Sequence, residues 1–206
     1  MLSRRIFSFK SAWSRPRVAV DVREGMEKFG RRFHSSGLRE AVVLALYKKP
    51  AASPVAPSPL PGEGDLVLLG KKSGKEAAST LAWKFALVGG IVERRDLGGK
   101  SNALEAYEQA LRREVLEETG LPQGEYAYSY CSSFLDRQSS FLVHCFAGFL
   151  LSDPRHRAAT QHSSNLAISP ADGEHDSFSW IPVRRVFGSR QVSDIAKRAV
   201  DLTLTG

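Results

Sequence analysis

The apolar residues of this chain fall into short runs that polar, glycine-rich or proline-rich segments separate. Runs of this length that are rich in aliphatic and aromatic residues are typical of β-strands. The pattern predicts six strands, which lie in chain order at residues 40–48, 65–71, 83–88, 126–133, 140–151 and 178–181. A turn at Asp136 to Gln138 would join the fourth and fifth strands into a hairpin.

A segment with helical periodicity follows the third strand. Asn102 can cap its first turn, with Glu105 three positions on as in a capping box, and Gly120 suits the left-handed residue that ends a helix. At ~100° per residue the apolar side chains that share one face, and should pack on the sheet, are Leu104, Leu111 and Val115.

A second helix is predicted near the C-terminus, at residues 193–202, with Ser193 as its candidate N-cap. Several strands mixed with two helices indicate an α/β or α+β sandwich, in which helices cover the surface of a sheet.

The N-terminal leader differs in composition from the rest of the chain. Residues 1–40 hold ten Lys and Arg against four Asp and Glu, whereas the remainder holds nineteen against eighteen, so most of the net charge of +7 lies in the leader. The first twenty residues combine five basic residues and four serines with no acid, a composition typical of an organelle transit peptide. We therefore expect residues 1–36 to be an N-terminal extension that directs the protein to mitochondria. A plain extension of a cytoplasmic protein is the alternative.

Residues 37–206 are expected to form the folded domain. Between residues 50 and 64, five prolines and two glycines predict an exposed insertion rather than a regular element.

Three other classes of function find little support. No apolar run reaches the ~18 residues that a membrane-spanning helix needs. Cys131 and Cys145 lack the spacing of a zinc site, so free thiols and no zinc are expected. A uniformly basic nucleic-acid face is not supported, although a local patch of Lys71, Lys72 and Lys75 stays open. No heptad pattern predicts an oligomeric state.

Three glutamates share one side of the first predicted helix. Glu114, Glu117 and Glu118 fall within an arc of roughly 100°, because residues three and four positions apart face each other on a helix. Their charges repel, and they lie near the helix C-terminus, where the macrodipole disfavours negative charge. A hard divalent cation such as Mg²⁺ would stabilise this arrangement, and a solvated acidic face is the alternative.

The stretch from Gly99 to Leu121 resembles the Nudix box, G-x5-E-x7-R-E-U-x-E-E-x-G-U with U apolar, at every specified position. The resemblance implies an alpha/beta/alpha sandwich with a mixed sheet. It also implies hydrolysis of a nucleoside diphosphate linked to another moiety, with Mg²⁺ or Mn²⁺ bound by glutamates of the box. A weaker resemblance extends over residues 40–185.

The same resemblance implies roles for five residues. Glu117 and Glu118 would be principal metal ligands, and Glu114 would be a further ligand or the base for the attacking water. Arg113 would orient a glutamate through charge-assisted hydrogen bonds, with a plain surface salt bridge as the alternative. Glu105 would be structural or an outer metal ligand, and its predicted capping position favours the structural role.

The glycine that lines the metal site has two candidates. Gly99 fits the spacing of the box, whereas Gly90 lies where the aromatic strand ends, the place at which the family's glycine loop normally meets the metal. If Gly90 is the ligand, residues 93–100 form an insertion.

Three residues outside the box are further candidates. Glu174 precedes a Trp-Ile-Pro segment similar to a late region of the family, which makes it a candidate ligand or base. Lys72 and Arg137 are candidates for binding the substrate.

The predicted function is therefore metal-dependent hydrolysis of a nucleotide-type diphosphate. The alternative is a binding module that keeps the fold and holds a nucleotide or the 5′ end of an RNA within a complex; the atypical glycine region favours it. Among substrates, nucleoside diphosphate sugars, dinucleotide coenzymes, coenzyme A, nucleoside triphosphates and 5′-capped or triphosphorylated RNA all stay open.

Overall fold

The structure is a computed structural model, and it describes residues 38–49, 61–74, 83–98, 102–151, 168–171 and 173–205. The predicted N-terminal extension, the proline-rich insertion before residue 61, Lys75 and Gly99 lie outside the described residues. Within the described ranges, no helix is long and apolar enough to cross a membrane.

Seven strands and four helices occur within the described residues. The strands are β1 (Arg39–Lys48), β2 (Leu66–Lys72), β3 (Phe85–Ala86), β4 (Val88–Ile91), β5 (Tyr126–Asp136), β6 (Phe141–Leu150) and β7 (His175–Pro182). The helices are α1 (Arg94–Leu97), α2 (Ala103–Thr119), α3 (Val183–Gly188) and α4 (Asp194–Thr205).

Five of the six predicted strands are present with ends within three residues of the prediction. The strand predicted at 83–88 is wrong in part, because the chain changes partner within it: β3 pairs with β2, whereas β4 pairs with β1. Trp83, predicted to begin this strand, lies in a turn with a φ of 63°. The short helices α1 and α3 were not predicted, because four and six residues are too few to show a helical period.

The sheet is mixed, and β1 lies at its centre. On one side β1 runs parallel to β6 from Arg39 to Tyr47, and β5 continues the sheet through the predicted hairpin. On the other side β1 pairs antiparallel with β4 along Ala41–Leu44 and with β2 only at Tyr47 and Lys48. Strand β7 adds to the far edge of β2. Because β2 and β4 pair with the same edge of β1, they lie close to each other.

Helices cover both faces of this sheet, as the predicted sandwich requires. Because successive side chains of a strand point to opposite faces, Val43 and Ala45 pack with Ala199 of α4 in one buried cluster. On the opposite face, Tyr107 of α2 stacks on His144 of β6 with ring centroids 3.8 Å apart. Helix α2 therefore lies on the sheet beside β4 and β6.

Helix α2 has the predicted caps. The Asn102 side chain accepts a hydrogen bond from the Glu105 backbone at 3.0 Å, and Gly120 ends the helix with a φ of 69°. The Glu105 carboxylate contacts the Asn102 side-chain amide at 3.1 Å. Leu111 and Val115 are buried as predicted, whereas Leu104, the second residue of the helix, is only half-buried. In α4, Ser193 caps the first turn by accepting from the Ala196 backbone at 3.2 Å.

Candidate metal and hydrolysis site

Two glutamates of α2 contact strand β4 at the adjacent residues Gly89 and Gly90, which are called the Gly89-Gly90 step. Glu118 Oε2 accepts a hydrogen bond from the Gly89 N–H at 2.9 Å. The Glu114 carboxyl atoms lie 2.4 to 2.5 Å from where a Cβ on Gly90 would stand. Two carboxylates one helical turn apart thus converge on adjacent glycines, and the absent side chain of Gly90 is what makes room for one of them.

Glu118 is the most buried of the three glutamates, with 1% of its side chain exposed. Lys72 Nζ lies 3.1 Å from its Oε1, and His175 Nδ1 lies 3.7 Å from the same oxygen. Burial raises the pKa of Glu118 to about 7, although the Lys72 charge and the Gly89 N–H act in the opposite direction. The carboxylate therefore gains or loses its proton near neutral pH in the metal-free protein.

Lys72 connects Glu118 to the loop that carries Glu174. Its Nζ donates to Glu174 Oε2 at 2.9 Å as well as to Glu118. Burial lowers the pKa of Lys72, but the two carboxylates outweigh it, so the pKa is raised and the ammonium stays charged. The hydrogen bond from Lys72 lowers the pKa of Glu174. Lys72, predicted to bind the substrate, and Glu174, predicted to be a further ligand or base, thus lie next to the box.

Arg113 holds the other two glutamates of the box. Its Nη1 lies 2.6 Å from Glu114 Oε1 and 3.0 Å from Glu117 Oε2. Its Nη2 also donates to the Ile91 carbonyl of β4 at 2.9 Å. The guanidinium is largely buried, with 13% of the side chain exposed, so this is more than the surface salt bridge considered as the alternative. Glu117 remains 45% exposed and faces solvent.

Asp96 of α1 is a site residue that the sequence analysis missed. Its side chain is fully buried and binds Arg113 through both oxygens, at 3.3 Å to Nε and 2.9 Å to Nη2. Burial raises the pKa of Asp96, but the bonds from Arg113 outweigh it and the pKa is lowered. One feature of the sequence could have indicated Asp96. It follows Gly90 by six positions, the same interval that separates Gly99 from Glu105.

The family model for the NUDIX domain matches residues 51–202, which is most of the chain. The chain belongs to the Nudix family. No curated protein sequence matches it.

Solved structures of Nudix proteins share the fold at low sequence identity. The Nudix hydrolase from Alicyclobacillus acidocaldarius superimposes with a TM-score of 0.56 at 13% identity, covering 82% of this chain and 92% of that one. The Nudix domain of Shewanella oneidensis NrtR complexed with ADP ribose gives 0.51 at 13% identity, covering 81% and 86%. NrtR complexed with a 27mer DNA gives 0.50 at 12%, covering 80% and 59%. These likenesses confirm the mixed sheet with flanking helices.

Two of the candidate site residues, Glu105 and Arg137, do not lie near the glutamates. Glu105 lies at the exposed start of α2, nine residues before Glu114 and hence about 13 Å from it along the helix axis. Arg137 lies exposed in the turn after β5, and β5 is separated from β4 by β1 and β6, roughly 14 Å across the sheet.

Nudix hydrolases generally use divalent metals, and the donors in this chain fit such an ion. Carboxylate oxygens are what Mg²⁺ and Mn²⁺ prefer, and Glu114 and Glu118 converge on one glycine step. Among the described residues, however, no group of three His, Cys, Asp or Glu side chains surrounds a common point. Lys72 bonds Glu118, and Arg113 bonds Glu117. Metal binding therefore requires side chains to move from these partners.

Proposed function

We propose that the protein is a divalent-metal-dependent hydrolase that cleaves a diphosphate bond in a nucleoside diphosphate linked to another moiety. The observation that carries the proposal is the convergence of Glu114 and Glu118 on the Gly89-Gly90 step. Two glutamates of the box thus lie beside the two glycines of β4. A solvated acidic face would leave Glu118 in water, whereas its side chain is 1% exposed.

Glu114, Glu117, Glu118 and the Gly90 backbone would hold Mg²⁺ or Mn²⁺. The bound metal would neutralise charge on the diphosphate and lower the pKa of a bound water. Arg113 would keep the Glu114 and Glu117 carboxylates oriented, through hydrogen bonds that are stronger because both partners are charged.

Lys72 and Glu174 would act on the substrate and on the water. Lys72 stays charged, so its ammonium can bind a phosphate oxygen once the metal takes over Glu118. Glu174 is 61% exposed and its pKa is lowered, so it is an ionised carboxylate open to solvent. Either Glu174 or Glu114 would accept the proton of the attacking water.

A substrate panel tests this function directly. The full-length chain, with Mg²⁺ or Mn²⁺, should release phosphate-containing products from at least one of ADP-ribose, nucleotide sugars, dinucleotide coenzymes, coenzyme A, nucleoside triphosphates and 5′-triphosphate RNA. Glu117→Gln should lower that turnover by about 10- to 100-fold, because it removes a carboxylate from the proposed metal site. Glu108→Gln is the matched control, since Glu108 pairs with Arg112 elsewhere on the same helix.

A binding module would explain why no substrate of the panel is hydrolysed. ADP ribose belongs in the panel because the NrtR Nudix domain is complexed with it. Tight binding of ADP ribose or of an RNA 5′ end without hydrolysis, by a wild-type chain that binds Mn²⁺, would contradict the hydrolase and favour the binding module.

The affinity for Mn²⁺ should fall as the pH is lowered through 7. In the metal-free protein the pKa of Glu118 is raised to about 7, so below that pH the carboxyl is protonated and must release its proton to bind a metal. Above pH 7 it is ionised and no proton is released. Between pH 8 and pH 6 a single such group weakens binding about tenfold.

Calorimetric titration with Mn²⁺ in two buffers of different ionisation enthalpy measures both the affinity and the released protons. A constant affinity from pH 8 to pH 6, with no proton release at pH 6, would remove Glu118 from the metal site.

A further inference from the structure

The buried carboxylate of Asp96 forms part of a network that ends at the metal-site glutamates. Asp96 receives three hydrogen bonds: two from Arg113 and one from the Glu93 backbone N–H at 2.9 Å. The Glu93 contact belongs to a capping box that holds the single turn of α1. A fully buried carboxylate whose oxygens are all bonded is a fixed anchor rather than a mobile surface charge.

Asp96 determines how the Arg113 guanidinium is oriented. The guanidinium is planar, so two bonds along its Nε and Nη2 edge fix where Nη1 points. Nη1 is the atom that bonds Glu114 and Glu117. Without Asp96, Arg113 would keep its charge but lose the bidentate contact that sets its plane.

In the sequence pattern the first acid of the box is Glu105, but in the structure it is Asp96 that lies next to Arg113. Gly90 and Asp96 are separated by the same interval as Gly99 and Glu105, and the two pairs are offset by nine residues. Gly90 contacts Glu114 and Asp96 contacts Arg113. Glu105 precedes Arg113 by eight residues, about 12 Å along α2, and contacts Asn102.

We propose that Asp96 is a positioning residue, which fixes Arg113 and thereby keeps the Glu114 and Glu117 carboxylates together for metal binding. The Nudix box of this chain then begins at Gly90, uses Asp96 as its first acid, and is interrupted by nine additional residues before Arg113. This inference rests on the proposed metal-dependent function.

The test measures Mn²⁺ affinity of the full-length chain by the electron paramagnetic resonance signal of free Mn²⁺. Asp96→Asn should weaken binding by about 10- to 100-fold, the usual cost of removing a group that orients metal ligands. Asp96→Glu restores the charge and should recover part of that loss. In the active enzyme, Asp96→Asn should lower kcat at saturating substrate and metal while KM changes little, because the Asp96 side chain is fully buried.

Asp65→Asn is the matched control for loss of a buried ion pair. Asp65 is buried, pairs with Lys49 at 2.6 Å and accepts from the Gly62 backbone at 2.9 Å, as Asp96 does with Arg113 and Glu93. It should lower the melting temperature but leave Mn²⁺ affinity unchanged. Equal losses of Mn²⁺ affinity in Asp65→Asn and Asp96→Asn would overturn the proposal, as would a loss in Glu105→Gln as large as in Asp96→Asn.

A second measurement separates this proposal from the proposed function. In the metal-free protein, the Arg113 Nε–H should exchange with solvent faster in Asp96→Asn than in wild type or Asp65→Asn, as measured by nuclear magnetic resonance. Unchanged exchange overturns the positioning role even where Mn²⁺ binds. Faster exchange in a chain whose wild type binds no Mn²⁺ overturns the metal-dependent function instead.

Discussion

Glu118→Gln is expected to lower kcat/KM by about 10³-fold or more, equivalent to roughly 4 kcal/mol of lost transition-state stabilisation. Glutamine keeps the shape of the side chain but removes the charge that the metal needs. It also offers one acceptor oxygen where the wild type offers two, and those two receive the Gly89 N–H and the Lys72 ammonium. One of these donors would therefore lose its partner in a site that is 1% exposed.

The effect should exceed that of Glu117→Gln, because Glu117 is 45% exposed and water can replace it. Initial rates for both variants, with Mn²⁺ affinity measured on the same preparations, give the comparison. Circular dichroism spectra that match wild type would exclude unfolding as the cause. A Glu118→Gln enzyme within tenfold of wild type would show that the buried carboxylate is a structural partner of Lys72 and does not bind the metal.

The parts of the site that lie on one helix could be predicted from the sequence. The caps at Asn102 and Gly120 and the shared side of the glutamates depend only on spacing along α2, which local physics determines. The same holds for most strands, because an apolar run between turn residues is a local signal.

The parts that depend on pairing between distant segments could not be predicted. Gly99 fits the spacing of the box and Gly90 does not, and only the pairing of β4 with β1 brings Gly90 beneath Glu114. Asp96 has no local periodicity that marks it as buried, since α1 is a single turn. The link from Lys72 to Glu118 spans 46 positions and exists because β2 and β4 share one edge of β1.

These pairings also reduce the repulsion between the carboxylates of the metal-free site. Arg113 pairs with Glu114 and Glu117, and Lys72 pairs with Glu118 and Glu174. Because each single cation is shared by at least two carboxylates, the site keeps a net negative charge. A divalent metal between Glu114 and Glu118 would offset that charge, and it would leave Lys72 available for the substrate.

Substitution of alanine for each of the two adjacent glycines of β4 should separate folding from metal binding. Gly89 has a φ of 147°, and a Cβ there would lie 2.1 Å from the Val42 carbonyl oxygen of the paired strand. Because both the conformation and the clash involve backbone, Gly89→Ala should destabilise the fold by about 3 kcal/mol or more. The three atoms nearest to a Cβ on Gly90 would all belong to the end of the flexible Glu114 side chain, at 2.4 to 2.5 Å.

Gly90→Ala should therefore cost less than about 1 kcal/mol of stability, since Glu114 can rotate away, yet weaken Mn²⁺ binding by about 10- to 100-fold because Glu114 is displaced. Denaturant unfolding of the metal-free proteins and Mn²⁺ titration measure the two effects. Gly64→Ala is the control, because nothing lies within 4 Å of a Cβ at that turn position. If Gly90→Ala kept wild-type Mn²⁺ affinity, the glycine that lines the metal site would not be Gly90, and the start of the box would have to be sought at Gly99.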